Sequence, residues 1–214
     1  MNNSIENNAA ALRTRLKQLR AAQNPMDARR GALLMRGRLF TWLATTRRAL
    51  AEAGRPSPAT IAAFWSMDEE PDLRPLLAQW VEEEGLTVSL PVVAGADAPL
   101  QFRLWTPSTP MRQGAFGIME PQSPVAPAPD IVLVPTLGYT RRGDRIGYGK
   151  GHYDRTLAAL KGQGHRYTAI GIAWACGDLD AGGMAHTPAP HDVRLDAILT
   201  DKGWAVPAPN LLQD

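Results

Sequence analysis

Cysteine is almost absent from this sequence, since Cys176 is the only one among 214 residues. A disulfide within the chain is therefore excluded, and neither a CxxC pair nor the Cys/His spacing of a zinc site is present. His186 and His191 share a proline-rich loop, but two histidines five residues apart are a weak metal pattern. We expect Cys176 to be a structural thiol in a protein of a reducing compartment.

Long apolar runs are also missing. No run approaches the ~18 residues that a membrane-spanning helix requires, and the polar opening MNNSIENN lacks the apolar centre of a secretion signal. We therefore expect a soluble, cytoplasmic protein without a membrane partner. A chain of 214 residues is long enough for one substantial core. We expect a single domain over residues 1–214, as a monomer or weak dimer.

Net charge is small, because the formal value at pH 7 is only +2. The charge is unevenly placed, since residues 13–48 contain ten basic residues and one acid, Asp27. Such a segment is typical either of a nucleic-acid-binding surface or of solvated helix faces. No base-reading motif accompanies it and aromatic residues are sparse there, which favours solvated faces. A basic nucleic-acid-binding protein is kept as the alternative function.

Apolar periodicity and boundary residues predict alternating helices and strands. Helices are expected over residues 9–22, 26–53, 71–85 and about 152–161, strands over 60–66, 86–93, 100–105, 131–135, 167–174 and 195–201, and an irregular excursion over 95–129. In the first helix, Leu12, Leu16 and Leu19 form the expected apolar face. The strand IVLVP, residues 131–135, lacks polar alternation, as expected when both sheet faces are covered. This order predicts an α/β fold, a three-layer Rossmann-like domain with a mainly parallel central sheet.

The stretch RRGDRIGYGKGHYDRTL, residues 141–157, places three glycines at the alternating positions 147, 149 and 151, between a predicted strand and a predicted helix. A strand, a glycine loop and a helix N-terminus together form a common phosphate-binding arrangement. The Walker A pattern fails because Asp144 stands at its first glycine and Gly151 at its Ser/Thr position. The dinucleotide pattern fails because its third glycine is His152 here. A glycine-rich turn without a ligand is the alternative.

Charged residues around this loop favour the phosphate interpretation. Arg145 and Lys150 supply cationic donors. Asp154 falls in the first turn of the helix, where it is either a surface acid favoured by the helix dipole or a ligand for Mg²⁺ beside bound phosphates. In the pair His191-Asp192, the aspartate is either a second metal ligand or a turn-capping residue.

The segment LVPTLGYTRRGDRIGYGKGHYDRTL resembles the signature of the 5-formyltetrahydrofolate cyclo-ligase family, also called 5,10-methenyltetrahydrofolate synthetase. Further segments match the family in order, so the resemblance covers nearly the whole chain: FWSMDEEPDLRPLL, LTVSLPVV, LQFRLW, GIMEP and APHDVRLDAILTD. The sequence departs from the family pattern in four places. Ala9 replaces a lysine, Thr136 a small residue, Thr140 an aspartate and His152 a tyrosine.

The resemblance implies an ATP-dependent ligase that converts 5-formyltetrahydrofolate to 5,10-methenyltetrahydrofolate, with release of ADP and phosphate. It implies that ATP, the cosubstrate, phosphorylates the formyl oxygen and that N10 of the folate then attacks the activated carbon. Mg²⁺ is the implied cofactor, and the small-molecule substrates are the implied partners. A sugar-phosphate isomerase, a third possibility, rests only on analogy of fold.

The resemblance also implies roles for individual residues. The implied catalytic residues are Arg145, Lys150 and Asp154; the metal ligands are Asp154 and Asp192; the folate-binding residues are Trp65, Glu70, Tyr148 and His152; and the ATP-binding residues are Arg13, Arg145, Ile146, Gly147, Tyr148, Gly149, Lys150, Gly151, His152 and Tyr153. Alternatives stay open, because Trp65 and Tyr153 also suit plain packing and Glu69 suits the carboxylate role as well as Glu70.

The first helix adds one further residue to the expected ATP site. A spacing of four places Lys17 on the same helix face as Arg13, so Lys17 is a further expected phosphate contact. Arg15 and Arg20 are expected to point elsewhere and to remain solvated.

Overall fold

The structure is a computed structural model that describes the backbone of residues 2–213 and the side chains of residues 9–213. Met1 and Asp214, the two ends of the expected domain, lie outside the described residues. The α-helices are α1 Asn2–Ala21, α2 Pro25–Glu52, α3 Arg74–Glu82 and α4 His152–Gly162. The strands are β1 Thr60–Ala62, β2 Thr87–Val93, β3 Leu100–Trp105, β4 Met111–Gln113, β5 Met119–Pro121, β6 Ile131–Pro135, β7 Gly138–Tyr139, β8 Arg145–Ile146, β9 Thr168–Ile172, β10 Ala197–Thr200 and β11 Gly203–Val206.

Seven of these strands form the central sheet, in the order β11-β10-β9-β6-β1-β2-β3. The five strands from β10 to β2 run parallel to one another, and β11 and β3 join the two edges antiparallel. Strands β4 and β5 form a separate hairpin, and β7 and β8 a second, shorter one. The mainly parallel sheet predicted from the sequence is confirmed.

Helices cover both faces of this sheet, so the fold has three layers. On one face, Leu39 of α2 and Leu77 of α3 belong to the same buried cluster as Leu133 of β6. On the other face, Leu157 of α4 packs with Val132 of β6. Strand β6 is apolar throughout because both of its faces are buried, and each such side chain contributes ~1.5–3 kcal/mol relative to exposure. The predicted α/β architecture is confirmed.

A helix cap separates the two N-terminal helices where the sequence predicts a break. The side chain of Asn24 accepts hydrogen bonds from the backbone N–H groups of Met26 at 2.8 Å and Asp27 at 3.4 Å. Pro25 takes the first helical position, where its missing N–H has no cost. Such a cap stabilises a helix start by about 1 kcal/mol. α2 therefore begins anew after α1 and packs on the sheet, while α1 packs on loops.

The buried face of α1 differs from the one expected. Leu12 and Leu16 are buried and pack with Leu137, with Ile146 of β8, and with Leu179 and Met184. Leu19, expected on the same face, is 38% exposed, so this expectation is wrong. The physical reason is that α1 packs against only a few apolar side chains outside the central sheet. Only positions four residues apart along one line of the helix are covered there.

Element boundaries differ from the predictions in several places, and α1 already begins at Asn2 where the sequence predicted a start at residue 9. The strand expected over residues 60–66 ends at Ala62, because pairing with β6 stops there and the apolar residues that follow enter the core as an irregular segment. The helix expected over residues 71–85 is shorter, and β11 was not predicted because its four residues follow a tight turn. No helix among the described residues combines the length and the apolarity that a membrane crossing requires.

Candidate active site

The carboxyl ends of β1 and β6 lie side by side, because these two strands pair directly in the sheet. Strands β9 and β10 lie on one side of this pair and β2 lies on the other. The strand order therefore reverses between β1 and β6, and ligands of open α/β sheets bind at such switch points. The turn that carries Glu70 follows β1 and the glycine loop follows β6, so the topology brings both segments to one edge.

The glycine loop has a backbone shape that other residues resist. Gly149 has φ +91° and Gly151 has φ +66°, a region that side chains with a Cβ rarely occupy. Space is also short at Gly149, where a Cβ would lie 3.0 Å from the guanidinium carbon of Arg13. Arg13 itself donates through Nε to the carbonyl of Gly147 at 3.1 Å. Gly151 precedes α4, and no side chain caps this helix start.

Cations surround the loop as the sequence predicts. The ammonium group of Lys17 lies 5.8 Å from the centre of the Tyr148 ring, so Arg13 and Lys17 both reach the loop from one face of α1. Lys150 is exposed on the loop itself. Their placement agrees with an anion site, and their role in ATP binding remains a prediction.

Glu70 is buried against the glycine loop. Its Oε1 accepts a hydrogen bond from the Tyr148 hydroxyl at 2.8 Å, and its Oε2 accepts one from the backbone N–H of Met67 at 3.0 Å. Burial raises the pKa of the Glu70 carboxyl, although these two hydrogen bonds and the nearby Arg20 guanidinium act in the opposite direction. The neighbouring Glu69 is exposed. The geometry therefore favours Glu70 for the carboxylate role that the sequence left open between the two.

Arg145 and Asp154 form an ion pair with little exposure to solvent. The guanidinium NH2 of Arg145 lies 2.8 Å from Asp154 Oδ1, and the two side chains are 6% and 15% exposed. Both are also tied to Val193, since Arg145 donates to its carbonyl at 2.9 Å and Asp154 Oδ1 accepts from its N–H at 3.0 Å. Arg145 is therefore held by a carboxylate, whereas the sequence suggested a cation open to phosphate.

Asp192 caps a turn, as one of its two interpretations predicts. Its Oδ2 accepts from the N–H of Ala189 at 2.7 Å, and its Oδ1 lies 3.8 Å from His191 Nε2. Within residues 9–213, no cluster of three His, Cys, Asp or Glu side chains is placed to hold a metal ion by itself.

His152 and Tyr153 turn inward from the start of α4. Nδ1 of His152 lies 3.3 Å from the carbonyl of Ala98 and 3.2 Å from Arg155 NH2. His152 Nε2 and the Tyr153 hydroxyl are both buried and have no hydrogen-bond partner among the described residues. Burial and the nearby Glu70 carboxylate raise the pKa of the Tyr153 phenol. The ligand-binding roles expected for His152 and Tyr153 remain predictions.

Arg20 is a site residue that sequence reasoning missed. It is 5% exposed, so the expectation of a solvated arginine is wrong. Its guanidinium donates to the Tyr148 hydroxyl at 2.7 Å and to the carbonyl of Thr136 at 2.9 Å. A signal was present, because Arg20 follows Leu16 by four residues and so extends the line of Leu12 and Leu16 along α1.

Phe116 is a second residue that sequence reasoning did not identify. It lies between β4 and β5, has φ +59° and is 62% exposed. Its ring centre is 5.3 Å from the Lys150 ammonium and 6.3 Å from the His152 ring. The hairpin therefore carries an aromatic side chain to the glycine loop, although residues 95–129 showed only an irregular composition.

Trp65 takes a position that suits packing. The Trp65 ring packs edge to face against the Trp105 ring, with 6.4 Å between the two ring centres. The Arg74 guanidinium lies 5.4 Å from the centre of the Trp65 ring. The packing interpretation is thus supported by contacts, and a folate contact remains a prediction.

Several arginines of the basic N-terminal segment bind within the chain. Arg36 donates to the carbonyl of Asp72 at 2.8 Å, and Arg38 donates to that of Asp201 at 3.0 Å. Arg47 lies 3.6 Å from Glu84. These contacts reduce the cationic surface that the nucleic-acid-binding alternative would need.

Comparison with curated proteins points to one family. The chain is 37% identical over 192 residues to 5-formyltetrahydrofolate cyclo-ligase of Mycolicibacterium smegmatis, covering 78% of this chain and 94% of that protein. It is 32% identical over 162 residues to the Haemophilus influenzae protein of the same name, covering 72% of this chain and 82% of that one. These similarities support the cyclo-ligase interpretation over the nucleic-acid-binding alternative.

Solved structures share the fold. The structure of Aquifex aeolicus 5,10-methenyltetrahydrofolate synthetase matches with a TM-score of 0.71 at 22% identity, covering 92% of this chain and 91% of that one. A Mycoplasma pneumoniae 5,10-methenyltetrahydrofolate synthetase matches with a TM-score of 0.64 at 22% identity, covering 89% and 96% of the two chains. The model of the 5-formyltetrahydrofolate cyclo-ligase family matches residues 5–201, a span that contains the glycine loop, Glu70 and Asp192. This chain therefore belongs to the 5-formyltetrahydrofolate cyclo-ligase family and is an ATP-dependent ligase.

Proposed function

We propose that this enzyme closes the methenyl ring of 5-formyltetrahydrofolate at the switch point between β1 and β6, with ATP beside the glycine loop and the folate beside Glu70. The observation that carries this proposal is the 2.8 Å hydrogen bond from the Tyr148 hydroxyl to Glu70. Tyr148 belongs to the glycine loop, so the bond joins the two halves of one cleft. Reacting atoms must approach to about 3–3.5 Å, and a joined cleft allows that approach.

On the folate side, Glu70 is proposed to accept hydrogen bonds from the N–H groups of the pteridine ring. An ionised carboxylate offers about four acceptor sites, and the recorded donors to Glu70, from Met67 and Tyr148, occupy two of them. Charge-assisted hydrogen bonds of this kind are about twice as strong as neutral ones. Trp65, Tyr148 and His152 are proposed to line the same pocket.

On the ATP side, the uncapped N-terminus of α4 is proposed to receive phosphate. Backbone N–H groups of a first helical turn lack partners in the helix and carry a partial positive charge. The backbone from Ile146 to Tyr153 forms this edge, and Arg13, Lys17 and Lys150 offset the phosphate charge. Arg145 is proposed to act on phosphate transfer by fixing Asp154, because it is already paired with that carboxylate.

Asp154 is proposed to hold Mg²⁺, with Asp192 as a second ligand. The donor atoms suit the ion, because the recorded contacts of Asp154 all fall on Oδ1 and leave Oδ2 as a carboxylate donor. Mg²⁺ usually takes one or two protein carboxylates and completes its octahedral shell with water and substrate phosphates. When bound, the ion would neutralise charge on those phosphates and hold them in place.

The proposed chemistry overcomes the low reactivity of a formamide. The formyl oxygen forms a bond to the γ-phosphorus while the bond from that phosphorus to ADP breaks. The oxygen is then part of a good leaving group, so N10 can bond to the formyl carbon. The carbon–oxygen bond then breaks, phosphate departs, and the proton of N10 is released to the phosphate or to water. The protein supplies alignment and charge, from Lys150 and the first turn of α4 around the transferred group.

The proposal is tested by mixing the purified protein with 5-formyltetrahydrofolate and Mg-ATP. We expect the absorbance of the methenyl product, read at the acidic pH that stabilises it, to rise in step with ADP. A protein that releases ADP without forming the methenyl chromophore would contradict the folate assignment. The nucleic-acid alternative would instead give salt-sensitive binding to RNA with no folate turnover.

We also propose that the enzyme works in the cytoplasm as a monomer or weak dimer. The single half-buried Cys176 agrees with a reducing compartment. Cell fractionation checks the location, and sedimentation across a range of protein concentrations checks the assembly state. A stable higher oligomer would contradict the second part.

A further inference from the structure

Arg20 is a buried cation whose recorded hydrogen bonds go to neutral oxygens. It is 5% exposed and donates to the hydroxyl of Tyr148 and the carbonyl of Thr136. Its charge reaches the Glu70 carboxylate, but the hydrogen-bond path to that group passes through Tyr148. Burying a charge is costly unless other groups compensate for it.

Hydrogen-bond chemistry fixes the direction of this chain of contacts. A guanidinium has only donors, and a phenol has a single proton. At 2.7 Å from Arg20 NH1, the Tyr148 oxygen must accept, so its own proton points to Glu70 Oε1 at 2.8 Å. Arg20 thereby determines that Tyr148 donates to Glu70. Without Arg20 the hydroxyl could turn, and Glu70 would lose a fixed donor.

Arg20 also spans the loop that carries Tyr148. Thr136 begins the segment after β6, and Tyr148 lies in its glycine-rich part, so one guanidinium holds both regions. Arg13 and Lys17, by contrast, meet the loop on its backbone carbonyl and on the face of the Tyr148 ring. Arg13, Lys17 and Arg20 of α1 therefore contact different parts of the loop.

We propose that Arg20 is a positioning residue for the folate side of the site, which acts through Tyr148 to hold Glu70 in place as an ionised acceptor. This inference rests on the proposed role of Glu70 in folate binding. It separates Arg20 from Arg13 and Lys17, which are proposed to act on ATP. A substitution at Arg20 should therefore change the KM for folate, with much less effect on the KM for ATP.

The test compares single and double variants in steady-state kinetics. We expect Arg20→Ala to raise the KM for 5-formyltetrahydrofolate about five- to tenfold, in the range of coupling between residues in contact, while the KM for ATP changes less than about twofold. Tyr148→Phe should give a similar rise, and the double variant should add little to it, because both changes break the same chain of contacts. Arg15→Ala, an exposed arginine of the same helix, is the matched control.

A pH profile separates positioning from simple docking of α1. The groups that face Glu70 are Tyr148 from the loop, Arg20 from α1 and Tyr153 from α4. Loss of the Arg20 charge should raise the pKa of Glu70 further. As the pH is lowered, folate affinity in Arg20→Ala should therefore begin to fall at a higher pH than in the unmodified protein. If Arg20→Ala does not fold, Arg20→Lys keeps the charge but lacks the two-pronged donor. Arg20→Lys should then raise the KM for folate by less than the roughly fivefold expected for the loss of the charge, and the pH profile should shift little.

The outcomes distinguish this inference from the proposed site on which it rests. Equal rises in the KM for folate and ATP, or additive effects of Arg20→Ala and Tyr148→Phe, would overturn the positioning role alone. An unchanged folate KM in Glu70→Gln would overturn the folate site and the inference together. A folate-specific, non-additive effect with a shifted pH profile would support it.

Discussion

Glu69 and Glu70 are adjacent residues with the same side chain, yet their surroundings differ. Glu69 is exposed, whereas Glu70 is buried and accepts hydrogen bonds from Tyr148 and Met67. The sequence could not separate them, because both precede Pro71 at a similar distance from a helix start. Which of the two carboxylates is buried depends on the direction in which the turn after β1 points each side chain. That direction is fixed by contacts with the glycine loop, which is distant in the sequence.

Folate binding should distinguish the two carboxylates. Glu70→Gln should raise the Kd for folate roughly tenfold or more, since a hydrogen bond to a charged group is worth about 1.5–3 kcal/mol. The Kd for ATP should change little. Glu69→Gln is the neighbouring control and should bind folate normally. Titration by protein fluorescence measures both, and unchanged folate affinity in Glu70→Gln would exclude this residue.

The buried position of Glu70 also gives a pH dependence. Burial raises the pKa of this carboxyl above its usual range. Only the ionised form accepts hydrogen bonds on both oxygens, so folate affinity should be full above that pKa and should fall as the pH is lowered through it. The fall should begin at a higher pH than an ordinary glutamate would give. Folate titrations across the acidic range test this, and Glu70→Gln should show no such step.

At Asp154 we expect a loss of turnover. Asp154→Asn should lower kcat by at least ~10²-fold, because groups that stabilise transition-state charge carry that much, and it should raise the Mg²⁺ concentration required. The change also removes the charge partner of buried Arg145, which is expected to cost about 3 kcal/mol of stability. Thermal unfolding of the variant measures that second effect separately from kcat.

A matched control for Asp154 exists in Asp144. This carboxylate is buried, also pairs with an arginine, and accepts from Arg194 at 3.1 Å and from Thr140 at 3.0 Å. Asp144→Asn should lower the unfolding temperature without changing the Mg²⁺ requirement. If the two variants share one Mg²⁺ dependence, Asp154 acts as a structural partner of Arg145 and does not bind the ion.

At the scale of elements, α1 places Arg13, Lys17 and Arg20 against the glycine loop, and the first two are proposed to contact ATP. Arg13→Ala should raise the KM for ATP clearly, roughly tenfold or more for a lost charge-assisted contact of about 1.5–3 kcal/mol. Lys17→Ala should raise it modestly, because its ammonium lies over the Tyr148 ring. Arg15→Ala should leave it nearly unchanged, as expected of a solvated arginine. Steady-state kinetics on the three variants decides the matter, and equal effects would indicate a diffuse field of charge.

The elements that local pattern specifies were predictable. Strand β6, the glycine loop and α4 follow one another with clear signals of apolar run, glycine and helix start. The partner of Arg20 was not predictable in this way, because Tyr148 lies 128 residues further along the chain. The hairpin that carries Phe116 was missed for a similar reason. Its strands have three residues each and depend on surrounding contacts more than on their own propensity.

At the scale of the whole molecule, the proposed site lies where the strand order reverses, and ATP and Mg²⁺ are proposed to bind together in that one cleft. We predict that turnover requires ATP and a divalent cation at once, and that a chelator abolishes it. Added Mg²⁺ should restore it. The cation together with ATP should also raise the unfolding temperature, since ligands that bind the folded state stabilise it. Full turnover in the presence of excess chelator would contradict the proposed role of Asp154.

The overall architecture was predictable because alternating helices and strands leave few alternatives for a parallel sheet. The strand order was not, since it depends on the side to which each connection crosses. Only that order shows that Glu70 and the glycine loop, more than sixty residues apart in the chain, meet at one edge. The sequence pointed to Glu70 and to the glycine loop, and the topology explains why these two segments converge.

The docking of α1 has a consequence for the order of events during synthesis. Leu16 is made early, but its packing partners Leu137, Ile146 and Leu179 leave the ribosome more than a hundred residues later. Contacts so distant in sequence close slowly. A growing chain therefore exposes α1, with its apolar line and its arginines, until most of the sheet has been made. Nascent chains are expected to lack nucleotide affinity until that late stage, which leaves α1 open to chaperones in the interval.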